Sequence, residues 1–407
     1  MKMLSEERHY RYLFLSALTN GVGARFSQVG VYALIYLLTE SGLVLGSLMA
    51  VRILPTIIFA PISGMLADRY DKAQILYYTD LLRTPFAVLP LFAMTSDSIW
   101  LLYVSSFVLA VGEAIYQPAR YSFIPDIVKR KNLLAVNGLE QNVIGLTLVI
   151  GSLLGGVISF LTSVYVLFMI HAVCLVIAAL FVKRLIGIRS EQSDTDRGHV
   201  AFRETGMLIL QVPLLRVFLM VMLLMPIANG VDNVIFNLIA LDVFEQGDLG
   251  VGLIYASLGA GLMLSSVVMK RLKGSYILLG VLMIMFEGAG HLVLSQSQSF
   301  WQALIFAKMI AMTGGVSNIC FDTVLMKVLP AEKRGTLFGT LSMVQNGSMG
   351  VSMVGAGFLV EWFSPLQSSV IVGTAYIGFA LLFFITFKMV NFRWSVSRLR
   401  RGRHVAG

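Results

Sequence analysis

Twelve stretches of this chain, each about long enough to cross a bilayer, carry almost no charge, and no other feature constrains the fold as much. They run roughly over 12–38, 43–65, 73–94, 99–117, 137–160, 163–185, 214–240, 250–270, 274–295, 300–322, 336–361 and 366–388. A helix needs roughly 20 apolar residues to cross a hydrocarbon core of about 30 Å. Only 13% of the residues are charged, against about 25% in soluble globular proteins. The runs are continuously apolar and too long for the alternating strands of a membrane barrel. The expected fold is all-α and polytopic, with twelve transmembrane helices in two pseudo-symmetric six-helix bundles.

The cations sort by side. Of the 31 lysines and arginines, all but Arg25, Arg52, Arg83 and Lys308 fall in or beside the segments on one face of this topology. The six loops on the other face hold none. Positive-inside bias then puts both termini in the cytoplasm of a multi-pass protein of the cell membrane. No cleavable signal peptide is expected, because Met1 to Tyr12 leads directly into a full-length span. The net charge of +9 belongs to helix borders that meet an anionic inner leaflet, and it does not point to nucleic acid. Cys174 and Cys320 both lie in expected helices, which argues against a disulfide framework or a thiol–metal site. No phosphate loop, metal-ligand spacing or nucleophile triad is present. The chain is expected to be neither an enzyme nor a cofactor protein.

The longest polar stretch, Arg189 to Glu204, divides the chain. The expected organisation is a first bundle over 1–188, a cytoplasmic linker over 189–213, a second bundle over 214–392 and a basic tail over 393–407. Gln141 and Gln345, and Gly151 and Gly355, share an offset of 204 residues. This is about the spacing a duplicated six-helix unit would give, although chance glycine spacing in apolar helices gives similar matches. Parallel repeats of this kind are typical of two-bundle transporters.

Between spans two and three the chain reads Gly64-Met65-Leu66-Ala67-Asp68-Arg69-Tyr70-Asp71-Lys72. This resembles the loop motif G-x-L-A-D-R-x-G-R-K of the major facilitator superfamily. Gly64 lets helices approach closely, and Asp68 suits a helix N-terminus, whose dipole favours an anion. Arg69 and Lys72 can form ion pairs that lock the cytoplasmic side. Asp71 stands where the motif has glycine, and Ala73 where it has a basic residue. Pro118-Ala119-Arg120-Tyr121-Ser122-Phe123-Ile124-Pro125-Asp126-Ile127-Val128, followed by Asn137-Gly138-Leu139, is similar to the loop after span four in the drug:proton antiporter branch. That branch includes macrolide-efflux and siderophore-exporter proteins. The span-five motif of these antiporters usually ends G-P-x-x-G-G. Here it reads Gly151-Ser152-Leu153-Leu154-Gly155-Gly156, without the proline, and span four has no arginine before Arg120.

Charges inside a membrane usually face a cavity or a partner. Asp80 and Arg83 share a helix face, either as a mutual pair or in proton-linked gating. Glu113, four residues before Gln117, is the candidate proton carrier, or else a carboxylate permanently paired to Arg25 or Arg83. Arg25 and Gln28, with Asn20 slightly off their face, line a substrate cavity or bond between helices. Asn229, Asp232, Asn233 and Asn237 form a stripe on span seven, read as a water-lined path, with Asp232 near the outer end and open to solvent. Glu287 and His291, one turn apart on span nine, read as a proton relay or, in preference, as a local hydrogen-bonded pair. Lys308 either attracts an anionic substrate or snorkels. Methionines and phenylalanines are numerous enough for an adaptable pocket, though ordinary core and lipid-facing roles account for them equally.

The resemblance implies a monomeric secondary transporter that exports an amphipathic small molecule by alternating access, driven by inward proton flow. The partners would be the small-molecule substrate, protons and the lipid bilayer. Two other readings stay open: a lysophospholipid or glycolipid translocator of the same fold, and a non-transporting membrane sensor.

Overall fold

In a computed structural model, residues 2–39, 42–188, 202–330 and 333–401 are described. They form α1 (Lys2–Glu6), α2 (Arg8–Thr39), α3 (Gly42–Arg69), α4 (Lys72–Val88), α5 (Trp100–Ile127), α6 (Leu133–Leu161), α7 (Val164–Lys183), α8 (Phe202–Gln211), α9 (Pro213–Leu238), α10 (Gly247–Met269), α11 (Tyr276–Leu294), α12 (Phe300–Val328), α13 (Arg334–Trp362), α14 (Pro365–Met389) and α15 (Phe392–Arg401). There is no strand among the described residues. Nine of the helices are long and apolar enough by themselves to cross a membrane. The other three long ones are α3, α4 and α13. The chain is an all-α polytopic membrane protein.

Helix ends follow local chemistry. Asp71 caps α4, accepting the backbone N–H groups of Ala73 at 2.8 Å and Gln74 at 3.3 Å. The departure from the glycine of the loop motif therefore starts a helix instead of a looser turn. Ser163 and Ser299 cap α7 and α12. Ser364 and Gln367 form a capping box on α14, with Pro365 at its first position. Each cap satisfies a backbone donor that a helix start leaves unpaired. At its far end α4 continues into a 3-10 turn over Leu89–Phe92, and α9 into a π turn over Ile239–Val243.

Within the first half, α2 packs on α6 and α7, α4 on α5 and α7, and α5 on α3. In the second half, α9 packs on α13 and α14, and α11 on α12 and α14. The halves meet chiefly where α3 packs on α13 and α6 on α10, with α6 on α12 and α5 on α13 adding to the contact. One hydrophobic cluster runs from Tyr10, Phe123 and Val136 of the first half into Phe218, Leu325 and Phe338 of the second. Its first-half members lie toward the end that carries both termini. At the opposite end the first half has a separate core around Leu34, Leu102 and Phe168. Most of the expected linker, residues 189–201, lies outside the described residues, as do 402–407 of the tail. The described part of the tail is helix α15.

Candidate functional site

At the terminus-bearing end the halves are joined by a polar latch. Asp68, in the last turn of α3, projects onto the start of α13. Its carboxylate accepts the Gly335 N–H at 2.6 Å, the Thr336 N–H at 2.7 Å and the Thr336 hydroxyl at 2.6 Å. The unpaired donors and the dipole of a helix N-terminus favour an anion there. The sequence points to such a site for Asp68, and the helix it caps belongs to the other half. A side chain at Gly64 would run into the backbone of Gly335, so this crossing requires a bare backbone.

A second set of bonds surrounds Asp126. Its carboxylate takes Lys72 at 2.5 Å from its own half and Arg334 at 2.8 Å from the other. Lys72 thus holds the first half together, and Arg334 makes the crossing. In return, Arg130 donates to the Lys327 carbonyl at 2.7 Å. Arg130 and Arg334 are themselves 204 residues apart, so the duplicated positions clasp each other's half. Asn137 with Thr323, Asn142 with Ser266, and the stacked rings of Tyr121 and Phe338 add to the seam. Beneath it, Glu140 takes both Arg120 and the Tyr10 hydroxyl, buried among them. Arg69 is exposed, with its guanidinium over the Tyr70 ring.

Deeper in the first half, the expected charges form one chain. Asn20 donates to Asp80 at 2.7 Å, and Asp80 lies 3.6 Å from Arg83. Arg83 reaches Glu113 at 3.2 Å, and Gln117 donates to the other Glu113 oxygen at 2.5 Å. Of the two partners open to Glu113, Arg83 is the one it meets. The chain is graded, because the Asp80 side chain is 0% exposed and that of Glu113 is 40%. Room for Arg83 comes from Gly112, where a Cβ would overlap the arginine stem. Nearby, Arg25 donates to Gln28 at 3.1 Å, and Gln28 to the Tyr32 hydroxyl at 3.1 Å. The charges and phenols around Arg25 come from both halves: Tyr32, Arg52 and Glu113 from the first, Tyr255 from the second.

The span-seven stripe does not hold as one line. Asn237 donates to Tyr255 on α10 at 2.9 Å, and Asn233 donates back along its own helix, to the Asn229 carbonyl. Asn229 and Asp232 turn inward, where the Tyr376 hydroxyl sits 2.8 Å from one and 2.7 Å from the other. Asp232 is buried, not solvated. His291 stacks on the Tyr376 ring and approaches Asp232 at 3.4 Å, and its other nitrogen lies 3.2 Å from Ser369. The expected Glu287–His291 pair is thus replaced by a pair between helices, and Glu287 is buried against Gly314 of α12. Lys308 is part-buried on the turn of α12 that packs on Gly261 of α10. No cluster of metal ligands occurs among the described residues.

Asp126, Arg334, Glu140, Tyr255 and Tyr376 are functional or structural partners that the sequence reading does not single out. Asp126 lies within the quoted loop motif, and Arg334 holds the duplicated position of Arg130. Those signals could have paired them. Nothing local marks Tyr376.

A twelve-helix bundle in two halves, closed at one end by a carboxylate cap, defines a class of membrane transporter. The profile of the Major Facilitator Superfamily matches residues 13–353, and the chain belongs to that superfamily. It is 23% identical to the uncharacterized MFS-type transporter YfiS of Bacillus subtilis over 363 residues, 86% of each chain. It is 24% identical to macrolide efflux protein A of Streptococcus pyogenes over 257 residues, 60% of this chain and 62% of that one. The lysophospholipid transporter LplT of Yersinia pestis is 26% identical over 140 residues, 34% of this chain and 33% of that one. Among solved structures, the human organic anion transporter MFSD10 superposes with a TM-score of 0.73 at 14% identity, covering 93% of this chain and 99% of that one. A bacterial homologue of the iron transporter ferroportin, in an outward-facing state, gives 0.68 at 16% identity over 93% and 99%.

Proposed function

We propose that this protein is a secondary active exporter of an amphipathic small molecule, working by alternating access in exchange for protons. It works in the cell membrane with both termini cytoplasmic. The observation that carries this reading is the gathering of cross-half bonds at one end. The Asp68 cap, the Asp126–Arg334 pair and the Arg130 bond lie together at the terminus-bearing end, where the shared core also lies. Breaking these few bonds frees that end, and the same bonds re-form when it closes. Domain boundaries near 188 and 214 fit this division of labour, each half moving as a packed unit.

The Asp80–Arg83–Glu113 chain is the coupling element. Glu113 is its exposed member, and protonating it releases Arg83 to Asp80 alone. Arg25, Gln28, Asn20, Gln117, Asn229, Asn233 and Lys308 are the candidate substrate contacts. A relative named for macrolide efflux supports an apolar or amphipathic substrate. Inside-out vesicles with a quenched-dye pH gradient test the reading against macrolides, dyes and siderophores. A compound that collapses the gradient with the natural protein, but not with Glu113→Gln, supports it. Substrate movement with unchanged pH dependence in that variant removes Glu113 from the mechanism.

Lysophospholipid or glycolipid translocation is the second reading, favoured by the stretch shared with a lysophospholipid transporter. Proton-independent movement of a fluorescent lysolipid between leaflets would support it over the first.

A further inference from the structure

In the second half, at the terminus-bearing end, the ends of α9, α11, α12 and α14 and the start of α15 leave a pocket of about 430 Å³. Leu214, Val281, Val324, Phe384 and Phe387 make its wall apolar, and one charged side chain, Lys388, lines it. Every helix around it belongs to the second half, and its α12 wall at Val324 backs onto the seam bonds of Thr323 and the Lys327 carbonyl. From Tyr276 to Val281 the wall rises five helical steps, a depth of about 8 Å at 1.5 Å per residue. Leu278, Phe384 and Phe392, also in the wall, are half exposed and open it sideways, toward the space lipid occupies around a membrane protein.

Cations crowd its rim. Lys327 holds its ammonium 4.8 Å from the centre of the Tyr276 ring, and Tyr276 is itself part of the wall. Arg271 and Lys273 precede Ser275. Among the described residues no carboxylate lines the pocket. Helix α15 closes the rim, with Ser395 and Leu399 buried and Trp394 beneath the Arg398 guanidinium at 5.0 Å. An apolar recess one or two turns deep, opening sideways below a cationic rim, matches a phospholipid in both parts. The recess takes an acyl chain, and the rim takes a phosphate.

We propose that this pocket is a binding site for an anionic phospholipid, with its phosphate held by Lys388 and Lys327 and one acyl chain against Phe384 and Phe387. Bound there, the lipid ties α15 and α11 to the end of α14. This site is independent of the transported substrate and of proton coupling.

The test uses the full chain in neutral detergent, titrated with phosphatidylglycerol or with phosphatidylcholine of the same acyl chains, and followed by thermal unfolding. Phosphatidylglycerol is expected to raise the melting temperature at lower concentration than phosphatidylcholine. Lys388→Gln with Lys327→Gln should abolish that preference, each lysine accounting for roughly a fivefold loss of affinity. Val281→Trp, which fills the recess, should remove the response to both lipids. Equal titrations of the two lipids with the natural protein would overturn the proposal. So would a preference that survives the double glutamine variant, or glycerol phosphate acting as well as the lipid. Should Val281→Trp fail to fold, the charge variant alone decides.

Discussion

The two halves each bury an ionic cluster, and the two are built to opposite ends. In the first half, Asp80, Arg83 and Glu113 run from a sealed carboxylate to one that is partly open. In the second, Asp232 and His291 meet at 3.4 Å with Tyr376 and Ser369 closing around them. The first cluster contains a permanently charged guanidinium, which stands between two carboxylates and can change partners. The second has no such cation. The Tyr376 hydroxyl bonds its acid and the His291 imidazole lies beside it, enclosed by three helices. The first half leaves one acid reachable from solvent, whereas the second seals its acid inside.

Three substitutions sharpen or break that contrast, beginning with the largest effect. Arg83→Ala strands Asp80 in the protein interior, and removing one partner of a buried pair costs about 3–5 kcal/mol. A thermal melt in detergent should show this loss, and transport should fail even in molecules that remain folded. A variant as stable as the natural protein would mean that Asp80 holds a proton and needs no cation. Asp68→Asn comes next. It replaces a charged acceptor of three donors, a loss of about 2 kcal/mol from the latch. Cross-linking between cysteines placed at Tyr70 and Lys333 should fall, and turnover should fall with it while membrane insertion is kept. Normal cross-linking together with normal turnover would discard the latch.

The smallest effect is expected from Tyr376→Phe. Losing the hydroxyl leaves Asn229 and Asp232 without their shared donor, at about 1–2 kcal/mol. Stability should drop while the pH dependence of transport stays as it was. A shifted pH profile would make the second cluster part of coupling and erase the distinction between the halves.

Much of this was legible beforehand. The twelve spans, the clustering of cations on one side and the acid of the loop motif are all visible in the linear chain. So is the link between Asp80 and Arg83, because residues three apart share a helix face. Glu113 could be narrowed to two arginine partners and no further. The Glu287–His291 reading fails for a related reason. Residues four apart on one helix can bond, but His291 has better partners on α9 and α14. Asp232 was read as an outer, solvated acid because its depth along the span was visible, while the helix facing it was not.

The line between the two kinds of knowledge is physical. Length, hydropathy and the distribution of Lys and Arg act through the bilayer, which every segment meets alone, so the sequence by itself determines that this is a twelve-span protein with its cations on one side. Which acid meets which base depends on how far each helix is rotated and shifted against its neighbours. That is settled by the packing of all twelve helices at once. Only the tertiary structure could place Asp68 on the N-terminus of α13 and Arg334 on Asp126. The residues involved lie more than two hundred positions apart and come together where the two halves close.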